Sequence, residues 1–353
     1  MKKPMNYLNL KIRTITIIFF ISSCAYAQTN NNFNKEYICK KYNTQIKSVN
    51  NTDFLVYKSD SLPKPTIVFI TGSNFTPFFV NGECYAFPFN IYKHKKKFNF
   101  VIVNKPGIPM FDDSLRNAYL NESFNGSNYL DSTGHIPDKF IKNNNCDYYV
   151  KTHNDVINYL IKQTWVDKEH IFVLAHSQGT RIASSLALVN KNIKKVVLSS
   201  PGSVNNRFFE SIRKIRYDES FELFNNEQAQ HKIDSIHQRY SDLILHKTDN
   251  EKLFDGGTYY SYASFTFPTT KQKLFQIKQP VLVIYGTNSN QDLDCDYLNL
   301  VLMERDKKNV TVKPYVGYDH NFFKDVYNDK GEVINRTFNW DSVMTETFNW
   351  LIK

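Results

Sequence analysis

Apolar residues are distributed along the chain in two alternating rhythms. Continuous β-branched runs occupy residues 66–70 (Thr-Ile-Val-Phe-Ile), 98–104, 171–175, 192–200, 280–285 and 310–315. Unbroken runs of this length predict strands buried on both faces of a sheet. Between them lie stretches with helical spacing. In residues 148–163, Val150, His153, Val156, Ile157, Leu160 and Ile161 share one helical face. Residues 182–188, 293–303 and 337–352 predict further helices, and shorter strand-like runs stand at 37–42 and 53–58. Strands alternating with helices predict an α/β fold, a mostly parallel sheet flanked by helices.

The rhythm breaks twice. Residues 108–145 are polar and Asn-rich, as expected of an irregular excursion over the sheet edge. Residues 204–277 are charged and helix-like at 208–215 and 220–240, then aromatic around Tyr259. They predict an inserted helical cap that divides the core into 35–203 and 278–353. Tyr259, Tyr260, Tyr262 and Phe265 are expected to pack within that cap rather than clamp a substrate. No internal repeat is evident.

The first residues carry a targeting pattern. Lys2, Lys3, Lys11 and Arg13 precede a short apolar run at 15–21, and Ala25-Tyr26-Ala27 stands before Gln28. That run is too short to span a bilayer, so residues 1–27 are expected to be a signal peptide. Export to the periplasm or the exterior follows. Ile21-Ser22-Ser23-Cys24 also has the shape of a lipobox, so the alternative is a lipoprotein anchored through Cys24. Membrane contact is expected only through that lipid. Residues 29–34 form a polar lead-in.

Composition narrows the remaining classes. The 353 residues are 41% hydrophobic, enough for one large α/β domain. The formal charge of +10 falls to +6 without the first 27 residues, which hold four basic and no acidic side chains. So mild a surplus does not call for a nucleic-acid partner, and His94 to Lys97 reads as a solvated helix end. Lys105, just after a strand, reads as a surface lysine rather than a catalytic one. Without Cys24, the cysteines Cys39, Cys84, Cys146 and Cys295 remain, and export would permit two disulfides in any of three pairings. No CxxC or Cys/His metal pattern occurs. His231 and His237 are six residues apart and face different sides of a helix. No metal or cofactor is implied.

The candidate chemistry sits at the end of the run Ile171-Phe172-Val173-Leu174-Ala175. There the chain reads His176-Ser177-Gln178-Gly179-Thr180, followed by a small-residue helical stretch. Strand, sharp turn carrying Ser, then helix is the layout of a nucleophile elbow. Small residues are needed two before and two after the serine, because strand and helix pack closely there. Those positions are Ala175 and Gly179. Ser177 is therefore the candidate nucleophile. A serine hydroxyl needs a base to take its proton, and imidazole titrates near neutrality.

With these residues the chain resembles the α/β-hydrolase superfamily over roughly residues 60–200 and 278–352. Four features stand in that family's order: the turn Thr71-Gly72-Ser73-Asn74, the elbow, the strand end Ile284-Tyr285-Gly286-Thr287, and His320 in Gly317-Tyr318-Asp319-His320-Asn321. More loosely the chain is similar to secreted bacterial serine esterases and prolyl-oligopeptidase-like hydrolases. The resemblance implies that His320 is the base. It also implies that the backbone N–H groups of Gln178 and Ser73 (or Gly72) form the oxyanion hole, each donor stabilising the transition state by ~3–4 kcal/mol. The family commonly places the acid three residues after the strand-ending glycine. That position is Ser289, which cannot supply a negative charge. Asp292 is the nearest carboxylate. Asp294, Asp255 or a Ser-His pair without an acid remain alternatives, and Asp296, like Asp294, falls in the expected following helix.

Three functions are open at this point. The first is a secreted serine hydrolase that cleaves a carboxylic ester or amide of a small molecule or peptide through a Ser177 acyl-enzyme. The second is a prolyl-oligopeptidase-like exopeptidase, for which Glu219, Glu222 and Glu227 could receive a free amino terminus. The third is a catalytically impaired binding protein, with the missing acid as its symptom.

Overall fold

The computed structural model describes residues 35–112 and 129–353. The expected signal segment, Cys24, the polar lead-in and much of the irregular excursion lie outside the described residues.

Eight strands form the main sheet: β1 (Thr44–Val49), β2 (Thr52–Tyr57), β3 (Lys64–Ile70), β4 (Asn99–Val103), β5 (Val166–His176), β6 (Ile193–Ser199), β7 (Val281–Gly286) and β8 (Val310–Tyr315). Their order across the sheet is β1-β2-β4-β3-β5-β6-β7-β8. The pairings β1–β2 and β2–β4 are antiparallel, and the rest are parallel. The continuous apolar runs become the central strands, with Val68, Val173, Val196 and Val283 all shielded from solvent on the same side of the sheet. Burial on both faces explains why they lack polar alternation.

The helices are α1 (Lys35–Lys41), α2 (Asp138–Asn143), α3 (Cys146–Leu160), α4 (Gly179–Val189), α5 (Arg207–Ser220), α6 (Asn226–His246), α7 (Tyr259–Thr266), α8 (Thr270–Gln276), α9 (Leu298–Glu304) and α10 (Trp340–Leu351). Helix α3 starts where the Asn145 side chain accepts from the Tyr148 N–H, as an N-cap should. It buries Val156, Ile157 and Leu160 in the main core. Helix α4 lies close to the sheet because its inner face is small: Gly179, Ala183, Ser184 and Ala187.

Several sequence expectations need revision. Residues 37–42 are not a strand but most of α1, whose charged sequence buries Ile38 alone. The strand comes just after, in β1. It turns into β2 through Asn50 and Asn51 at φ 49° and 59°, the left-handed pair that a two-residue hairpin needs. The helix expected at 293–303 is broken into a short 3-10 turn, Leu293–Cys295, and α9. Between β8 and α10 a hairpin intervenes, β9 (Phe323–Tyr327) with β10 (Val333–Phe338). The four described cysteines are free thiols, with Cys146 and Cys295 buried.

The segment between β6 and β7 folds as α5 to α8. Phe208, Leu243, Phe254, Tyr259 and Ala263 form its own apolar cluster. Phe265 of α7, Leu274 of α8 and the following Ile277 instead join the main core. Among the described residues no helix is long and apolar enough to cross a membrane.

Candidate active site

The elbow forms because β5 runs into α4 with no spacer. Ser177 has φ 52°, a left-handed conformation that costs a non-glycine residue about 1–2 kcal/mol. Its N–H donates to Ser199 O at 3.0 Å, and its carbonyl receives the Thr180 N–H at 3.0 Å and the Thr180 hydroxyl at 2.7 Å. Gly179 has no substitute here. A Cβ would stand 2.5 Å from the carbonyl oxygens of both Ile70 and Thr71. Ala175, fully buried, pairs with Ile70 on one side and Leu198 on the other.

His320 arrives on the turn after β8. That turn is pressed against the end of β7, where a Cβ on Gly286 would overlap the carbonyl oxygens of Tyr318 and Asp319. The Asp319 carboxylate receives the N–H groups of Asn321 and Phe323, both at 2.8 Å, and pairs with Arg336 of β10. His320 Nε2 lies 2.9 Å from Ser177 Oγ, and its Nδ1 lies 2.9 Å from Asp292 Oδ2.

Asp292 reaches the histidine because the loop after Gly286 is longer than the spacing of the resemblance requires. Its carboxylate is buried and held by polar partners. Gly202 N–H donates to Oδ1 at 2.7 Å, and Ser289 Oγ donates to Oδ2 at 2.6 Å. The residue at the expected acid position is thus a hydrogen-bond donor to Asp292. The alternatives lie elsewhere. Asp294 accepts from Ser203 Oγ and from the N–H groups of Val204 and Asn205 at 2.8–2.9 Å, fixing the chain between β6 and α5. Asp296 accepts from Tyr285 Oη at 2.7 Å, and Asp255 pairs with Arg239.

Gly72 lies against the serine. A Cβ there would be 3.1 Å from Ser177 Cβ and 3.6 Å from Ser177 Oγ. Among the described residues, the backbone N–H groups of Ser73 and Gln178 donate to nothing, so both are free to meet an incoming oxygen.

His176, beside Ser177, was not singled out by its sequence. Its ring lies 5.1 Å from that of His320 and 4.9 Å from that of Trp340. Nε2 lies 3.1 Å from Asn321 Oδ1. Burial first, then the neighbouring His320, pushes its pKa down to about 3. It is therefore a neutral wall at physiological pH.

Two cavities share the turn Ser73-Asn74, and one of them reaches Ser177. One, of about 660 Å³, is lined by Gly72, Lys105, Ser177, Gln291, His320 and Trp340. The other, of about 260 Å³, is lined by Gln178, Arg181, Arg207, Asp255, Tyr262 and Phe265. Ser73 and Asn74 line both. The aromatics of α7 accordingly divide. Tyr259 packs on Phe254 and bonds Asp242, and Tyr260 Oη donates to Asp147 at 2.6 Å, whereas Tyr262 and Phe265 face a cavity. Glu219 pairs with Arg216, and none of Glu219, Glu222 and Glu227 lines either cavity. Among the described residues no cluster of His, Cys, Asp and Glu is arranged to hold a metal ion.

A family model described as alpha/beta hydrolase fold matches residues 124–325, more than half of the chain. No curated protein matches it in sequence. Among solved structures, the chain is similar to dipeptidyl peptidase 4 of Porphyromonas gingivalis, at a TM-score of 0.51 and 11% identity. That alignment covers 88% of this chain and 35% of the other, so the chain spans about a third of the length of that protein. It is also similar to Est1E from Butyrivibrio proteoclasticus, at a TM-score of 0.46 and 14% identity over 79% of this chain and 91% of that one. At such identities the likeness is one of fold.

Proposed function

Because the chain belongs to the alpha/beta hydrolase fold family, we propose that it is an exported serine hydrolase that cleaves a carboxylic ester, or less readily an amide. The observation that carries this is the unbroken relay from Ser177 Oγ to His320 to Asp292, each link 2.9 Å. Such a relay does chemistry that a lone serine cannot. His320 Nε2 takes the hydroxyl proton as Oγ attacks the acyl carbon, and Asp292 holds the ring with Nδ1–H and stabilises the imidazolium. The carbonyl oxygen becomes an oxyanion facing the free N–H groups of Ser73 and Gln178. His320 then returns the proton to the departing alcohol or amine. Water, deprotonated by the same histidine, releases the acid from Ser177.

The charge around the site favours this over the exopeptidase reading. A free amino terminus needs an unpaired carboxylate, yet the cavity beside Gln178 presents Arg181 and Arg207, and its Asp255 is already paired with Arg239. Arg181 is committed to the carbonyls of Pro201 and Ser203, and Arg207 is the cation that suits an acyl compound that is neutral or acidic. The non-catalytic reading rested on an absent acid, and the 2.9 Å contact between His320 Nδ1 and Asp292 supports Asp292 in that role. In this proposal the segment 204–277 caps the site and residues 1–27 direct export.

Hydrolysis of a p-nitrophenyl ester series tests the proposal. Turnover lost in Ser177→Ala supports it, and equal turnover in that variant refutes it. A preference for aminoacyl amides over every ester would restore the exopeptidase reading.

A further inference from the structure

We infer that Lys105 is a positioning residue for the oxyanion hole, holding the Gly72–Ser73 peptide so that its N–H points at the reacting carbonyl oxygen. The inference rests on the serine-hydrolase reading and adds to it a residue outside the Ser-His-Asp relay.

The sheet brings the two groups together. Strands β3 and β4 are parallel neighbours with Phe69 opposite Ile102. Carrying that register three residues onward sets Gly72 level with Lys105, just beyond the C-terminal ends of both strands. Lys105 is also rigidly presented. It opens the turn Lys105-Pro106-Gly107-Ile108, in which Ile108 N–H donates to Lys105 O at 3.2 Å and Gly107 has φ 75°. Pro then a left-handed Gly is the sequence of a type II turn. A Cβ on Gly107 would crowd Lys139 Cβ at 3.0 Å and Phe140 N at 3.1 Å, so the turn is seated against α2.

From this position Lys105 Nζ donates to Gly72 O at 2.5 Å. Among the described residues it has no carboxylate partner, which is unusual for a lysine facing a cavity. Burial without a counter-charge brings its pKa down to about 7. The contact survives either state, since both ammonium and amine carry N–H donors.

What that contact does follows from the peptide group. Gly72 C=O and Ser73 N–H belong to one planar trans unit, so they point in opposite directions. Fixing the carbonyl on Lys105 fixes the N–H on the other side, and Gly72 itself lies against Ser177. A charged donor on the oxygen also polarises the unit and strengthens its N–H as a donor. Without Lys105 the peptide can rotate, and the turn loses one of two oxyanion donors. A donor of this kind acts on the transition state and not on the ground state.

The test uses two esters of similar size, p-nitrophenyl butyrate and p-nitrophenyl hydrogen succinate, with phenylboronic acid as a tetrahedral mimic. Lys105→Met should lower kcat by about 10- to 100-fold for both esters with KM unchanged. Inhibition by the boronic acid should weaken by a similar factor, and Lys105→Arg, which keeps a donor, should recover part of the loss. A rise in KM confined to the succinate ester, with kcat kept, would make Lys105 a substrate contact and overturn the inference. So would a fall in kcat with boronic acid affinity retained. If the unaltered protein shows no turnover that Ser177→Ala removes, the serine-hydrolase reading fails and the role of Lys105 with it.

Discussion

The elbow and the loop after Gly286 hold the two ends of the Ser177-His320-Asp292 chain of contacts by opposite means. At the elbow the constraint is steric. Ser177 sits in a strained backbone conformation, and Gly179 leaves no room for a single carbon against Ile70 and Thr71. At the acid loop the constraint is polar. Asp292 is held by the Gly202 N–H, the Ser289 hydroxyl and His320, each within 3 Å. Close packing admits one residue type at one spacing. A carboxylate satisfied by hydrogen bonds can be delivered by loops of different lengths, provided that its oxygens end in the same place. The elbow therefore tolerates little change and the acid loop tolerates more.

The largest expected effect separates the two regions. Asp292→Asn should lower kcat by about four orders of magnitude while the elbow keeps its geometry. Its urea midpoint should stay close to that of the unaltered protein. A variant that unfolds instead would mean that Asp292 is a structural anchor first. The polar constraint should also be transferable. Adding Ser289→Asp to Asp292→Asn is expected to restore activity by about 10-fold or more, because the residue at 289 already lies within 2.6 Å of the acid. No recovery would show that the longer loop is required.

Gly179→Ala should behave differently, with activity and stability falling together. Overpacking here costs on the order of 3 kcal/mol, because backbone and not side chain must move. Thermal unfolding would read it, and an unchanged midpoint would break the steric account of the elbow. Ser289→Ala is expected to cost about 10-fold in kcat or less, since Gly202 and His320 still hold the carboxylate.

The remaining effect is on the pH dependence of stability and leaves the relay itself untouched. His176, beside the elbow, and His153 of α3 are both held neutral by burial, with pKa values pushed from 6.5 down to about 3 and about 4. The unfolded chain takes up these protons below pH 6.5 and the folded chain does not. Stability should therefore be full above pH 6.5 and fall as pH drops toward 4, by about 1.4 kcal/mol per pH unit for each histidine. Urea titrations at pH 7 and pH 5 would show it, and His153→Gln should flatten the slope.

The same contrast explains what could be read in the sequence. Ser177 and Gly179 were legible because steric demand leaves a fixed spacing of small residues after an apolar run. The central strands were legible because burial on both faces removes polar alternation. His320 was placed by its position after the last sheet strand. Asp292 was only one of several acids, because hydrogen bonding to a loop carboxylate leaves no spacing to recognise. Lys105 reads as a surface lysine in the sequence, because its partner Gly72 follows only from the register of β3 and β4. The strand expected at 37–42 failed for a related reason. A short run with one buried residue carries too little periodicity to separate helix from strand, and the Asn50-Asn51 turn was the better signal.

The account stands on Ser177 as the nucleophile, and covalent capture tests that most directly. The protein would be treated with an alkyl fluorophosphonate and the modified peptide mapped by mass spectrometry. A single adduct on Ser177, absent in His320→Ala, is the predicted result. No adduct, or one that persists in Ser177→Ala, would contradict it.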